Sequence, residues 1–392
     1  MNLTNSIVEK ATLPAGKVQH FLRDEKLKGF GIRIGKSSKT FYFERKVNGR
    51  TVRTSLGNYP EMTTSDARNK AAELISSMAN GVNPNAVKKK TDIESRTLEE
   101  YLEEYIQHKT LAQSTILDMR SCFKRYLADW MNKPLSSIVA LMVKERHQEI
   151  SKRTEYKANR TFEYLSPIIN YAINDAKLRD VHDLFPKGNP VKMWSNQKLK
   201  NKESPRRTIV PMKSIGDFLS ILEQMISEER MGAYVLLFAL FTGIRKEEAI
   251  EKLLWENVDL TDRTFFINKT KNHEPHMLPL TNLTFNMLQK LYLKNGKPKA
   301  GIVFKPDRGE KVSNLRYLYD DIEKKLGLRV TMHDLRRTFS TIAAKVLSFY
   351  EHKKVMNHLN NHDVTQRHYI VMEVEDLRVP LQNLEDKILS YK

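Results

Sequence analysis

Cysteine is almost missing from this chain: Cys122 is the only one in 392 residues. One thiol builds neither a disulfide framework nor a cysteine-based zinc site, and a reducing cytoplasm is the expected compartment. Long apolar runs are missing too. The longest, MGAYVLLFALFTGI at 231–244, sits between Arg230 and Arg245, short of the ~18 residues a membrane span needs. It reads as a buried core helix, and no membrane partner is expected. The start, MNLTNSIVEKATLPAGK, has no apolar signal core, so export is not expected either. A phosphate loop is lacking. GIRIGKSS (31–38) is one residue short of the required spacing and runs into a strand instead of a helix, which excludes ATP binding there. Carboxylates form no evident cluster for a two-metal site. The expectation is an activity with no cofactor and no metal.

Positive charge, by contrast, is abundant. Lys and Arg number 66 against 47 Asp and Glu, a net charge of +19. With 40% hydrophobic residues the chain is globular, so the excess belongs to folded surfaces. It points to a polyanion, nucleic acid first, against the plainer reading of a merely soluble basic surface. Residues 1–93 hold 17 Lys and Arg against 8 Asp and Glu, so the charge is not one basic tail. Several modules are expected to touch the polyanion, and the length suits two or three domains.

Residues 1–82 read as a three-stranded sheet backed by a helix. The strands are GFGIRI (29–34), TFYFERKV (40–47) and RTVRTSL (50–56), and Asn48-Gly49 is a type I′ hairpin turn. That turn sets Val47 opposite Arg50, Arg45 opposite Val52, Phe43 opposite Thr54 and Phe41 opposite Leu56. The polar face then carries Tyr42, Glu44, Lys46, Thr51, Arg53 and Ser55. It is either a solvated face or a β-ribbon for a DNA major groove, with Tyr42, Lys46 and Arg53 as the candidate contacts. A helix is expected from Ser65 or Asp66 to Asn80-Gly81, and GVNPNAVKKKTDI (81–93) reads as a linker.

Residues 94–192 read as a helical bundle. Thr97 and Glu100 form a capping box, and further helices are expected over 114–131, 138–151 and 158–177. Arg120, Lys124 and Arg160 are its candidate DNA contacts. After a basic linker (195–208), residues 208–392 are mixed and mainly helical. Short strands are expected over 255–280 with a turn at Thr261–Arg263, and helices over about 312–326, 334–348, 350–358 and at the end of the chain. The fold class is therefore α+β and multidomain.

Four stretches of the last segment carry chemistry. FTGIRKEEAI presents Arg245 and, three residues on, Glu248. NKTKNHEPHMLPL places Lys269 and Lys271 near a hairpin tip. TMHDLRRTFS sets His333 one helical turn before Arg336. MNHLNNHDVTQRHYI holds His358 and Tyr369. Singly, each has a bland reading as a surface ion pair, a loop lysine, a helix start or a packed tyrosine. Together they match what metal-free phosphodiester transfer requires. A tyrosine attacks phosphorus and stores the bond as a phosphotyrosine. Two arginines neutralise the phosphate oxygens with rigid forks that never lose their charge. A lysine or histidine protonates the departing 5′ oxygen.

The order Arg245…Lys271…His333-x-x-Arg336…His358…Tyr369 resembles the tyrosine recombinase (phage integrase) family. T-G-I-R-K-E-E is similar to its first box, H-D-L-R-R-T-F to its second and N-H…Y to its last. The resemblance implies an arm-type DNA-binding domain at 1–82, a helical core-binding domain at 94–192 and a catalytic domain at 208–392. It implies Tyr369 as nucleophile, with a 3′-phosphotyrosyl bond and a free 5′ hydroxyl. Arg245 and Arg336 would clamp the phosphate. Lys271 would be the general acid, with Lys269 as the alternative. His333 would transfer a proton or hydrogen-bond the phosphate. His358 would bind a non-bridging oxygen, with His362 and His368 as rivals, and Glu248 would support the site from behind. The chain departs from the family's Leu-Gly-His, which reads Met356-Asn357-His358 here; Asn tolerates positive φ.

The implied partners are double-stranded DNA at attachment and arm sites, a homotetramer with the last helix on a neighbouring protomer, a host DNA-bending protein and an excisionase. The implied location is the cytoplasm, with the nucleoid. A type IB topoisomerase shares the chemistry but not the three modules. A DNA-binding protein that does not cut needs none of these residues together, and a metal-dependent transposase needs catalytic carboxylates.

Overall fold

The computed structural model describes residues 1–204, 207–270, 274–307, 309–312, 314–357 and 372–392. The chain forms two compact units, Met1–Ser204 and Pro205–Lys392.

The first unit holds two separate apolar cores. One lies under an antiparallel sheet of β1 (His20–Arg23), β2 (Phe30–Ile34), β3 (Lys39–Val47) and β4 (Arg50–Tyr59), in that spatial order. Phe30, Ile32, Phe41, Phe43 and Leu56 point inward. They meet Ala67, Ala71 and Met78 of α2 (Thr64–Ala79), while α1 (Asn5–Lys10) adds Val8. The sheet has four strands where the sequence suggests three. HFLR is too short to show an alternation of its own, yet it pairs along its length with β2. The Asn48-Gly49 turn sets the expected register at Val47–Arg50, Arg45–Val52 and Phe43–Thr54. Beyond that a bulge intervenes. Phe41 faces Gly57, not Leu56, and Leu56 is the extra residue that turns inward.

The expected linker at 81–93 is largely helical. α3 (Pro84–Glu94) begins where the Asn83 side chain accepts hydrogen bonds from the Asn85 and Ala86 amides. Proline at the first helical position needs no amide partner, so the Asn-Pro pair that resembles a loop is a helix start. α4 (Leu98–His108) has the capping box of Thr97 and Glu100. With α5 (Gln113–Tyr126), α6 (Ala128–Met131), α7 (Ala140–Ser151) and α8 (Glu155–Leu178) it encloses Leu98, Phe123, Trp130, Phe162 and Leu165. A further short helix, α9 (Pro190–Ser195), is capped by Asn189 and buries Trp194 against His147 and Phe162.

In the second unit, α10 (Ile215–Ser227) leads to α11 (Met231–Thr242), which is buried on every side save near its start. This is why its sequence lacks a polar stripe. A three-stranded sheet of β5 (Val258–Asp259), β6 (Thr264–Ile267) and β7 (His276–Pro279) follows, with Thr261–Arg263 in its first turn. Then come α12 (Asn282–Lys294), α13 (Arg316–Leu326), α14 (Met332–Val346), α15 (Phe349–Val355) and α16 (Arg378–Leu389).

Thr281 stands at the N-cap of α12, but its side chain caps no helix amide. The first amides of α12 are bound by α16: Asn282 N donates to Gln382 Oε1 at 2.9 Å and Leu283 N to Glu385 Oε1 at 3.0 Å. Leu381, Leu384 and Ile388 of α16 are buried in the unit's own core. The apolar face of this last helix, which the resemblance would set on a neighbouring protomer, is covered here within its own unit.

Glu385 is a buried carboxylate whose role is to accept the orphan amides at a helix start. Glu385→Ala is expected to lower the stability of the second unit by about 1–2 kcal/mol, the worth of a lost helix cap. The corresponding shift should appear in urea-unfolding curves of the full chain.

Candidate active site

α11 ends because Gly243 adopts a left-handed φ of 66°, and no side chain fits there. A Cβ on Gly243 would lie 2.4 Å from a ring atom of Phe339 on α14. The turn brings Arg245 back toward the core. Arg245 N donates to Glu248 Oε2 at 3.0 Å, and its guanidinium donates to Glu248 Oε1 at 2.9 Å. Glu248 is buried at the start of a single π turn, Glu248–Lys252. Burial pushes its carboxyl up, but the Arg245 amide and guanidinium and the charge of Arg336 outweigh this and hold it below the usual carboxylate range.

α14 starts with a capping box in which Thr331 and Asp334 exchange hydrogen bonds, and Thr208 Oγ1 donates to Asp334 Oδ1 at 2.8 Å. The T-x-x-D spacing is a sequence signal that moves the helix start two residues ahead of the expected one. His333 and Arg336, three apart, share one helix side. His333 is exposed and Arg336 is buried. The Arg336 guanidinium donates to the Gly243 carbonyl and, at 2.6 Å, to the Met356 carbonyl. One side chain therefore joins the end of α11 to the turn after α15. Burial and then the nearby Arg245 charge lower the Arg336 guanidinium to about 10. That value leaves it charged at neutral pH. Both guanidiniums lie near enough to Glu248 to feel its charge. Arg337 instead pairs with Asp334.

The hairpin β6–β7 is tied to the same turn. His276, at the start of β7, is buried with Nε2 3.1 Å from the Val355 carbonyl. Asn357 has φ of 47° and donates from Nδ2 to Thr270 Oγ1 at 3.1 Å. Thr270, His276 and Asn357 escape a sequence reading because each acts through partners about eighty residues away or more. Lys269 is exposed beside Thr270. Lys271, His358 and Tyr369, with the rivals His362 and His368, lie outside the described residues.

Of the expected DNA contacts in the first unit, Lys46, Arg53 and Lys124 are exposed. Tyr42 is corrected. It lies on the expected face but is only 5% exposed, packed edge-on to Phe21 at 5.6 Å between ring centroids. Arg53 covers both rings, 4.7 Å from Phe21 and 5.0 Å from Tyr42, and its Nε donates to Glu44 at 2.6 Å. Tyr42 supports Arg53 and has no open edge of its own. Arg120 is paired with Glu103 at 2.6 Å. Arg160 lies over the Tyr164 ring at 4.4 Å and reaches Glu163 at 3.4 Å.

Comparison with known proteins adds to this geometry. Residues 3–91 match the arm DNA-binding domain model, and residues 212–373 match the phage integrase family model. The chain is 25% identical over 379 residues to the prophage integrase IntF of Escherichia coli K12, across 86% of this chain and 79% of that protein. It is 24% identical over 316 residues to the prophage integrase IntZ of the same strain, across 78% and 75%. Its fold is similar to that of a lambda integrase tetramer bound to a Holliday junction, with TM-score 0.55 and 17% identity over 92% of this chain and 99% of that one. A Tn1549 transposon integrase in complex with circular intermediate DNA gives TM-score 0.54 and 16% identity over 73% and 99%. At these identities the solved structures speak for fold alone.

Burial takes the His276 imidazole down to about 4 from its ordinary 6.5. A depressed folded-state value means that the unfolded chain binds the proton more readily between those two pH values. The contribution to stability is complete above pH 6.5 and is lost as pH falls through about 4. The drop across that window is about 3 kcal/mol. His276→Gln should remove most of this drop, as read from urea-unfolding curves of wild type and variant at pH 4.5, 5.5 and 7.

Proposed function

We propose, for a chain that belongs to the phage integrase family of tyrosine recombinases, how its residues divide the work of a site-specific DNA recombinase. The enzyme cleaves and rejoins DNA through a 3′-phosphotyrosyl intermediate, and so integrates or excises a mobile element. The observation that carries the assignment of roles is the meeting of Arg245, Glu248 and Arg336 at one corner of the second unit, with His333 on the same helix as Arg336.

The scissile phosphate sits between the two guanidiniums. Glu248 fixes the direction of Arg245 with two hydrogen bonds, and the carbonyls of Gly243 and Met356 fix Arg336. Both forks are held before DNA arrives, so the charge that grows on the non-bridging oxygens meets donors that need no rearrangement. The Tyr369 hydroxyl attacks phosphorus and its proton passes to His333. The P–O5′ bond breaks as the Oη–P bond forms, and Lys271 gives O5′ a proton. His358 hydrogen-bonds a non-bridging oxygen. Rejoining runs the same steps backward from a 5′ hydroxyl.

Residues 1–82 act as the arm-type DNA-binding domain, with Lys46 and Arg53 on the face that meets DNA. Residues 94–192 act as the core-binding domain, with Lys124, Arg120 and Arg160 toward the backbone. Residues 208–392 act as the catalytic domain. The separate cores under the sheet and within the helical bundle support the first two boundaries. The working assembly is a homotetramer on double-stranded DNA, helped by a host DNA-bending protein and an excisionase. Among the described residues no helix is long and apolar enough to cross a membrane, and the proposed location is the cytoplasm, on the nucleoid.

Tyr369→Phe and Arg245→Ala are the informative variants: the first removes the proposed nucleophile, the second one fork of the proposed phosphate clamp. Each should bind DNA within about twofold of wild type while losing at least about a hundredfold in cleavage, the scale for removing a nucleophile or a transition-state donor. The assay mixes protein with supercoiled plasmid carrying the DNA that flanks the coding sequence, in EDTA. It is quenched with SDS and examined for protein-linked DNA. A Tyr369→Phe variant that still forms the adduct contradicts the assignment.

A further inference from the structure

We infer that Asn357 and Thr270 form a positioning bridge that aims the β6–β7 hairpin at the scissile phosphate, an inference that rests on the recombinase reading above. The hairpin is short: β6 and β7 pair over only four residues each, Thr264–Ile267 against His276–Pro279. So short a ribbon gains little rigidity from its own ladder. Bonds from outside set the direction of its tip. Asn357 Nδ2 donates to Thr270 Oγ1 at 3.1 Å, and Thr270 Oγ1 in turn donates to the Glu274 carbonyl at 2.7 Å. The hydroxyl thus closes the hairpin and receives the amide at once. His276 holds the far side of the ribbon to the Val355 carbonyl at 3.1 Å. Thr270 and Asn357 are both buried, so water does not compete for the bond.

The bridge links the chain neighbours of two reacting groups. Thr270 immediately precedes Lys271, and Asn357 immediately precedes His358. The backbone at Asn357 is left-handed, with φ of 47°. Glycine, the residue at this place in the family pattern, serves that backbone equally well but has no side chain to reach Thr270. The departure from the pattern therefore supplies a link that a glycine cannot. Proton delivery to O5′ is the step most sensitive to it, because a donor displaced by about an ångström loses the transfer. Asn357 and Thr270 touch no reacting atom and are positioning residues.

The test uses full-length protein and duplexes spanning a cleavage position first mapped with wild type on the flanking-DNA plasmid. The bridging 5′ atom at that position is either oxygen or sulfur. A thiolate leaves without a proton, so sulfur removes the need for the general acid. Asn357→Gly and Thr270→Val should each cleave the oxygen duplex about 5–20-fold more slowly, the scale of one buried hydrogen bond, with unchanged gel-shift affinity. The double variant should be within about twofold of the slower single, because one bond is lost in all three. Thr270→Ser, which keeps the hydroxyl, should stay within about twofold of wild type. On the sulfur duplex every variant should approach the wild-type rate. Wild-type speed from Asn357→Gly on the oxygen duplex, additive losses in the double variant, or losses that persist on sulfur each overturn the bridge while leaving the recombinase intact. A wild-type protein that forms no covalent adduct overturns the recombinase reading, and the bridge with it.

Discussion

Arg336 is the residue on which the second unit turns. Its guanidinium is buried and donates to the carbonyls of Gly243 and Met356, so one charged side chain joins three places remote in sequence: the end of α11, the first turns of α14 and the turn after α15. A buried charge is costly unless its donors are met. Two backbone carbonyls and the nearby charge of Glu248 offset that cost. In the proposed reaction the DNA phosphate lies between Arg336 and Arg245.

Everything else in the site serves that arrangement. Gly243 must be glycine because the chain bends left-handed against the Phe339 ring. Glu248 restrains Arg245, and Asp334 and Thr208 anchor the first turn of α14. The hairpin is bound to the same turn through His276 and Thr270. The anion site, the hairpin and the end of α15 therefore share one set of hydrogen bonds, and displacement of one is felt by the others. This coupling suits a reaction in which charge neutralisation and proton delivery occur at the same phosphate.

How much of this was legible in the sequence follows from the range over which each signal acts. Short-range signals read well. Asn48-Gly49 fixes the hairpin register for its first pairs, Thr97 and Glu100 cap α4, and Arg245 with Glu248 declare an i, i+3 pair. Some signals look alike locally: Asn83-Pro84 reads as a linker but starts α3, since proline suits a first turn as well as a loop. Long-range devices were invisible. α12 takes its cap from Gln382 and Glu385, about a hundred residues downstream, and Tyr42 is covered by Phe21 from a strand too short to announce itself. The site residues that motif spacing names are those that touch the phosphate in the family, whereas Thr270, His276 and Asn357 hold those residues in place through tertiary contacts.

In the proposed mechanism the corner built by Arg245, Glu248 and Arg336 presents a DNA phosphate to Tyr369. The most direct measurement is the identity of the amino acid that becomes linked to DNA. Wild-type adduct trapped with SDS would be digested with nuclease and protease, and the remaining nucleotide-bearing peptide sequenced by mass spectrometry. The expected product is a nucleotide joined through its 3′ phosphate to Tyr369. A nucleotide on any other residue, or one joined through its 5′ phosphate, would contradict it.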